Sequence, residues 1–256
     1  MSKALRFAAC QFPVSGRMDS NLAYILKLMH RAAKEGADII QFPEVALPGY
    51  ARLDFPSFSV FDWPALSEHT NKIMACAENL RIWVVLGSCR WPSGADKPRN
   101  CLHVISPSGD VVATYDKRKL HGKEALSYDK GNTPLVLTVK GIECGFLICY
   151  DSCFPGLYES YRKRGVQLLF HSYYNAKNEG GKNSLDALIL AQLRTRAADN
   201  GMWISASNSS ARHSRLAACI ARPDGSVLST RRHVCGLVTH DLPDTQLGWT
   251  YDNRKG

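Results

Sequence analysis

Short dense apolar runs alternate along this chain with longer stretches in which apolar residues return every third or fourth position. The first pattern suits a buried strand and the second suits one face of a helix. LRFAACQF reads as a buried strand. Leu22, Ile25, Leu26, Met29, Ala32 and Ala33 then share a helical face, with Asp19 or Ser20 as cap and Gly36 as stop. ADIIQF is the next strand, so the chain opens with a β-α-β unit whose strands run parallel. A second helix spans about Ala65 to Leu80, with Leu66, Ile73, Ala77 and Leu80 on its stripe, and IWVVLGSC is again a buried strand. NCLHVISPSGDVVATYDK divides at Pro-Ser-Gly-Asp into a hairpin.

PLVLTV and IECGFLICY pair across Lys140–Gly141, and a helix begins near Pro155, a residue suited to a first turn. VQLLFHS is a strand. A helix from Ser184 to Asn200 precedes strands near MWISAS, LAACIA and HVCGLVTHDL. No repeat, low-complexity stretch or linker interrupts the sequence, so residues 1–256 read as one α/β domain. The polar tail, about 248–256, reads as loose. Parallel units mixed with hairpins predict partly antiparallel sheets covered by helices on their outer faces.

Composition narrows the function classes. The formal charge is +9, but the basic residues are dispersed, and the densest groups, YRKRG and TRRH, lack interleaved aromatics, so no nucleic-acid partner is expected. No apolar run is long enough to span a membrane, and MSKALRFAACQF lacks a signal-peptide layout; the expectation is a soluble cytoplasmic protein. Nine scattered cysteines fit free thiols in a reducing compartment.

Three polar residues end strand-like runs: Glu44 in ADIIQFPEVALPGY, Lys117 in VVATYDKRKLHG and Cys149 in IECGFLICYDSCFPGLY. A thiol, a carboxylate and an ammonium are the parts of thiol-based acyl transfer: nucleophile, base and oxyanion partner. Taken singly, each has a plainer reading: Cys149 as a buried cysteine, Glu44 as a loop carboxylate, Lys117 to Lys119 as a solvated basic run. Cys149 sits at a strand–turn–helix junction whose amides would favour a thiolate. Strand alternation puts Lys117 and Lys119 on one face, and spacing does not choose between them. His171, Tyr173 and Asn175 follow the LLF strand at the same end as Cys149 and are candidate pocket residues.

Rival chemistries lack their parts. No second Cys/His pair completes a zinc site with Cys149 and Cys153, GGKNS lacks the first glycine of a phosphate loop, and neither G-x-S-x-G nor G-x-G-x-x-G occurs.

Together the segments resemble the carbon–nitrogen hydrolase (nitrilase) superfamily across essentially the whole chain. CYDSCFPGLY resembles its nucleophile segment, with Cys153 and Gly156 standing where Arg and Glu are usual. FPE followed by PGY resembles the general-base segment and makes Tyr50 a pocket wall. Aligning the Tyr and Leu of YDKRKL with the family pattern puts Lys117 at the catalytic position. KEALSYDKGN resembles the segment carrying a second glutamate, here Glu124, with Gly131 closing it.

The resemblance implies a four-layer α-β-β-α sandwich of two mixed sheets. It implies that Cys149 attacks, Glu44 moves protons, Lys117 and the backbone N–H of Tyr150 hold the oxyanion, and Glu124 orients the lysine or substrate. It implies no metal or organic cofactor, and a homodimer or larger homo-oligomer formed through the helix after Cys149, with Phe154, Leu157, Tyr158 and Tyr161 as candidate contacts, and the C-terminal region. Cys-Tyr-Asp resembles the amidase and carbamoylase branches, so the expected substrate is a small amide or N-carbamoyl compound, with Arg212 and Arg215 as candidate carboxylate partners at the mouth. Nitrile hydrolysis, acyl transfer by the same three residues, and a non-catalytic binding protein with the same fold are the alternatives.

Overall fold

The computed structural model describes residues 4–175, 184–243 and 252–253. GGKNS, except Ser184, and the tail, except its residues 252–253, lie outside the described residues.

Among the described residues, twelve strands form two sheets joined at a seam. In the first the order is β5 (Val111–Asp116), β4 (Arg99–Ile105), β3 (Trp83–Arg90), β2 (Ile39–Gln41), β1 (Leu5–Phe12), β12 (Gly236–Leu242). In the second it is β6 (Val136–Val139), β7 (Ile142–Ile148), β8 (Leu168–Ser172), β9 (Trp203–Ser209), β10 (Cys219–Ala221), β11 (Val227–Ser229). The seam is a short parallel pairing of β1 with β9, Gln11 opposite Asn208 and Phe12 opposite Ser209. Each sheet is mixed: β1–β2–β3 and β7–β8–β9 are parallel, and the outer strands are antiparallel.

Alternation along the strands builds the layers. Leu5, Phe7, Ile39, Val85, Leu102 and Val104 share one buried cluster with Phe146, Phe170 and Ile204 of the second sheet. Their neighbours Ala8, Cys10, Ile40, Val84 and Leu86 face the other way, into a cluster with Leu22, Ile25 and Met29 of α1 (Met18–Lys34) and Leu66 and Ile73 of α2 (Trp63–Leu80). Leu157 of α3 (Pro155–Arg162) and Leu193 and Ala197 of α4 (Leu185–Asn200) pack on the second sheet. The result is the four-layer α-β-β-α sandwich. Hydrogen bonds also cross the sheet interface: the Gln41 amide donates to Ser172 Oγ at 3.0 Å and accepts from Ser205 Oγ at 2.7 Å.

Local punctuation differs from expectation in places. α1 begins at Met18, ahead of both expected caps, and Asp19 bonds the His69 ring at 2.8 Å instead. Asn21 fastens the entry loop, accepting from Ser15 N and donating to Ser15 O. α2 begins two residues early because Asp62 Oδ1 caps Ala65 N at 2.9 Å. The Lys140–Gly141 turn has positive φ at both residues, +50° and +82°, as a tight hairpin requires. β11 is an addition, paired with β10 across a turn closed by Arg222 N to Ser226 O. No described helix is long and apolar enough to cross a membrane.

Candidate active site

Four segments meet where β2, β5, β7 and β8 end. Glu44 lies three residues beyond β2, Lys117 follows β5, Cys149 follows β7 and Tyr173 follows β8. Glu44 is seated by a close backbone crossing. A Cβ on Gly87 of β3 would lie 1.8 Å from Pro43 O and 2.8 Å from Val45 N, so only glycine lets this loop cross the strand. Glu44 N then donates to Tyr173 O at 3.2 Å and Leu47 N to Gly87 O at 3.1 Å. Lys117 is clasped on both sides, its N donating to Asn100 O at 2.9 Å and its O accepting from Gly131 N at 2.7 Å. A Cβ on Gly131 would stand 2.5 Å from Asp116 O, which explains the glycine.

Cys149 opens a 3-10 turn, Cys149–Cys153, with φ at +40°, a left-handed value costly for a side chain with Cβ. Asp151 holds the turn, accepting from Ile148 N at 2.9 Å, Lys119 N at 2.9 Å and the Tyr115 hydroxyl at 2.8 Å. It therefore ties the thiol segment to the lysine segment. Tyr115 was not among the expected residues, and Asp151 entered only through Cys-Tyr-Asp, with no structural role; a charged residue inside an apolar strand–turn junction was the available signal.

The polar centre is an ion cluster. Lys117 Nζ donates to Glu44 Oε1 at 2.7 Å and to both Glu124 oxygens at 2.8 and 2.9 Å, and all three side chains are buried. Glu124 is fixed from behind by His121 N at 2.8 Å. Asn100 Nδ2 donates to Glu44 Oε1 at 2.8 Å and to Glu124 Oε1 at 3.3 Å. It was not among the expected residues, although a fully buried amide at the head of an apolar strand marks it. Glu44 Oε2 has no hydrogen-bond partner among the described residues. It is a buried acceptor in the cavity that also receives Cys149.

Burial sets the protonation states. It pushes the Glu44 carboxyl above its usual range, against the pull of the Lys117 charge. It likewise drives the Cys149 thiol well up, reinforced by the Glu44 charge and opposed by Lys117 and the Tyr174 amide. Desolvation thus opposes the pull of the turn amides toward a thiolate. For Lys117 burial acts to lower the pKa, but Glu44, Glu124 and Cys149 together raise it, so the ammonium stays charged.

The cavity above this cluster has a volume of about 560 Å³. Tyr50, Tyr173 and Asn175 line it, as expected, together with Tyr128, Tyr174 and Tyr150. The Tyr50 ring lies 6.0 Å from Lys117 Nζ and stacks on Tyr174. Asn175 Oδ1 accepts from the Cys149 thiol at 3.7 Å. His171 does not line the cavity. Wholly buried behind it, its Nε2–H donates to the Cys149 carbonyl at 3.2 Å, while Nδ1 accepts from the Tyr158 and Tyr173 hydroxyls. Burial first, then Lys117, lowers its pKa to about 3, so the ring is neutral and acts as a strut. Arg212 and Arg215 are also absent from the mouth. Arg215 is buried against Asp186 at 3.1 Å, and Arg212 lies in a separate recess with Tyr24 and His233. Among the described residues no group of three or more His, Cys, Asp or Glu is arranged to hold a metal ion.

A model of the carbon–nitrogen hydrolase family matches residues 6–247. The omega-amidase of Homo sapiens is 27% identical over 258 residues, covering 93% of this chain and 88% of the relative. A Mycobacterium tuberculosis protein named as a hydrolase is 27% identical over 208 residues, 79% of this chain and 71% of the relative. Among solved structures, an amidase from Nesterenkonia sp. superposes with a TM-score of 0.81 at 25% identity, covering 96% of this chain and 93% of that one. A variant of that amidase carries the acetamide moiety of fluoroacetamide on its active-site cysteine.

Proposed function

Because this chain belongs to the carbon–nitrogen hydrolase family, an enzyme class acting on non-peptide C–N bonds, we propose that it hydrolyses a small carboxamide or N-carbamoyl compound through a thioester on Cys149. One observation carries this reading: Cys149 lines the same cavity as a carboxylate whose Oε2 has no partner among the described residues and an ammonium held between two carboxylates. Glu44 takes the thiol proton as sulfur bonds to the carbonyl carbon. The carbonyl electron pair moves to oxygen, where Lys117 Nζ and the Tyr150 N–H stabilise it. Collapse breaks the C–N bond, and Glu44 returns the proton to the departing nitrogen. Glu44 then deprotonates a water that attacks the thioester, releasing the acid and restoring the thiol. Glu124 and Asn100 hold Lys117 and Glu44 in register throughout. The omega-amidase and amidase names of the relatives support an amide over a nitrile.

Ammonia release from matched carboxamide, N-carbamoyl and nitrile substrates tests this. The nitrile should react at least about a hundredfold more slowly than the better of the other two, roughly 2.7 kcal/mol in transition-state stabilisation. Cys149→Ser should release none while keeping the wild-type Tm. A faster nitrile would move the chain to the nitrile-cleaving branch. Cytoplasmic residence, expected from the sequence pattern, and a homo-oligomeric state, expected from the family resemblance, are part of the same proposal.

A further inference from the structure

We propose that His171 is a positioning residue for the oxyanion site: its Nε2–H holds the carbonyl end of the Cys149–Tyr150 peptide and so aims the N–H end of that peptide at the developing oxyanion. This rests on the amidase reading, which makes the Tyr150 N–H an oxyanion donor beside Lys117, and adds to it a residue that stands outside the cavity.

The peptide plane is the first argument. The Cys149 carbonyl and the Tyr150 N–H belong to one planar unit, and in a trans peptide they point in opposite directions. Cys149 and Tyr150 line the cavity, whereas His171 is wholly buried and does not. The His171 Nε2–H donates to the Cys149 carbonyl at 3.2 Å, which turns that oxygen away from the cavity. The N–H of the same plane is thereby turned toward the cavity. It belongs to the first turn of the 3-10 segment Cys149–Cys153, where a leading N–H has no acceptor within the helix. A peptide whose carbonyl accepts a hydrogen bond is also polarised, which strengthens its N–H as a donor.

The state of the ring is the second argument. A carbonyl only accepts, so the nitrogen that faces it carries the hydrogen. Nδ1 is left as the acceptor for the Tyr158 hydroxyl at 2.9 Å and the Tyr173 hydroxyl at 3.0 Å. Burial, with the Lys117 charge added to it, outweighs the Cys149 carbonyl and keeps the ring neutral. The imidazole is thus a fixed single donor, with no charge to compete with Lys117 for the oxyanion.

Backbone strain is the third argument. Cys149 has φ at +40°, and such values persist where the surroundings impose them. The end of β8 does so. Its successive residues hold three parts of the site. His171 holds the Cys149 carbonyl, Ser172 Oγ donates to Phe42 O at 2.8 Å, two residues ahead of Glu44, and Tyr173 O accepts from Glu44 N at 3.2 Å. The Tyr173 ring also stacks on the imidazole, 4.2 Å between centres. One strand end therefore registers the nucleophile's turn against the base's loop.

The test separates oxyanion chemistry from thiol chemistry. Acylation of Cys149 by p-nitrophenyl acetate passes through a tetrahedral oxyanion, whereas iodoacetamide loses iodide from a saturated carbon and forms none. His171→Leu should slow the acylation burst, and kcat for a carboxamide, by about thirtyfold or more, with KM and the alkylation rate each changed less than about threefold. His171→Gln, whose amide can donate to the same carbonyl, should restore acylation to within about fivefold of wild type. Equal slowing of acylation and alkylation, or a glutamine no better than leucine, would overturn the proposal. The burst needs no amide substrate. If no amide releases ammonia, the amidase reading fails by itself and the burst still decides the role of His171. A wild type that p-nitrophenyl acetate does not acylate at Cys149 overturns that role outright. Should His171→Leu fail to fold, nitrogen-15 spectra of the wild type decide. A histidine ring close to the Tyr158 and Tyr173 rings, neutral at about pH 5 with its hydrogen on Nε2, upholds the proposal. A ring charged there, or carrying its hydrogen on Nδ1, overturns it.

Discussion

At the scale of single residues, the site separates two lysines that strand spacing alone leaves equivalent. Lys117 Nζ is buried among Glu44 and Glu124, whereas Lys119 is half-buried with its ammonium 4.6 Å from the centre of the Phe154 ring. Lys117→Met should therefore cost several orders of magnitude in kcat, since it removes the proposed oxyanion partner and leaves two buried carboxylates unpaired. Lys119→Met should cost less than about tenfold, the scale of one partly exposed cation–π contact. Steady-state kinetics of both variants checks the pair, and equal losses would refute the assignment. Glu44 sets the pH response. It must be ionised to accept the thiol proton, and burial raises its pKa. Protonation on acidification thus begins at a higher pH than for a free glutamate, and the acid limb of kcat/KM should fall above about pH 4.3. A limb at or below that value would show that another group controls it.

At the scale of elements, the strands beneath Lys117 are locked by a second charge cluster. Asp116 at the end of β5 accepts from Arg90 of β3 at 2.8 and 2.6 Å and from Arg99 of β4 at 2.8 Å. Burial acts to raise its pKa, but the two guanidiniums prevail and hold it below the ordinary carboxylate value. A folded pKa below the unfolded one contributes stability above the unfolded pKa, and that contribution is lost as pH falls through the folded one. Asp116→Asn should then destabilise the protein by about 1–3 kcal/mol at pH 7, the range for a partly buried pair. The gap should narrow as pH falls below the ordinary aspartate value of about 3.9 and wild-type Asp116 becomes protonated as well. Urea unfolding of both proteins at the two pH values measures it, and a gap that persists in acid would mean the loss is packing rather than charge. The same strands show what periodicity conveys. Runs such as IWVVLGSC and GFLIC gave their strands directly because both faces are buried. The start of α1 was misplaced because the loop is fastened by Asn21, a contact through a side chain that local pattern does not encode.

At the scale of the whole molecule, the candidate catalytic residues were legible because each sits at a strand end in a long apolar context, while their supports were not. Asn100 reaches Glu44, Asp151 reaches Lys119 N and His171 reaches the Cys149 carbonyl across tens of residues, and only the packed sheets bring them together. The rim was misread for the same reason: Arg212 and Arg215 lie far in sequence from Cys149, and nothing in the pattern says that one faces another recess and the other pairs with Asp186. Assembly is subject to the same correction. Of the aromatic and aliphatic residues expected to face a second copy, Leu157, Tyr158 and Tyr161 are buried in this chain's own core, so they cannot form an interface. The outward surface of α3 instead offers Gly156, where a Cβ would meet nothing within 4 Å, and the neighbouring α4 exposes Leu190. A helix pair with an exposed leucine is a surface an isologous dimer can bury. Light scattering at micromolar concentration should return at least twice the chain mass of 28.4 kDa. Leu190→Glu should shift the population toward one chain while leaving the secondary structure intact, because a carboxylate on each side of a two-fold contact meets its own copy. A wild-type mass of a single chain would refute the oligomer, and a Leu190→Glu protein that stays assembled would place the contact elsewhere on the surface.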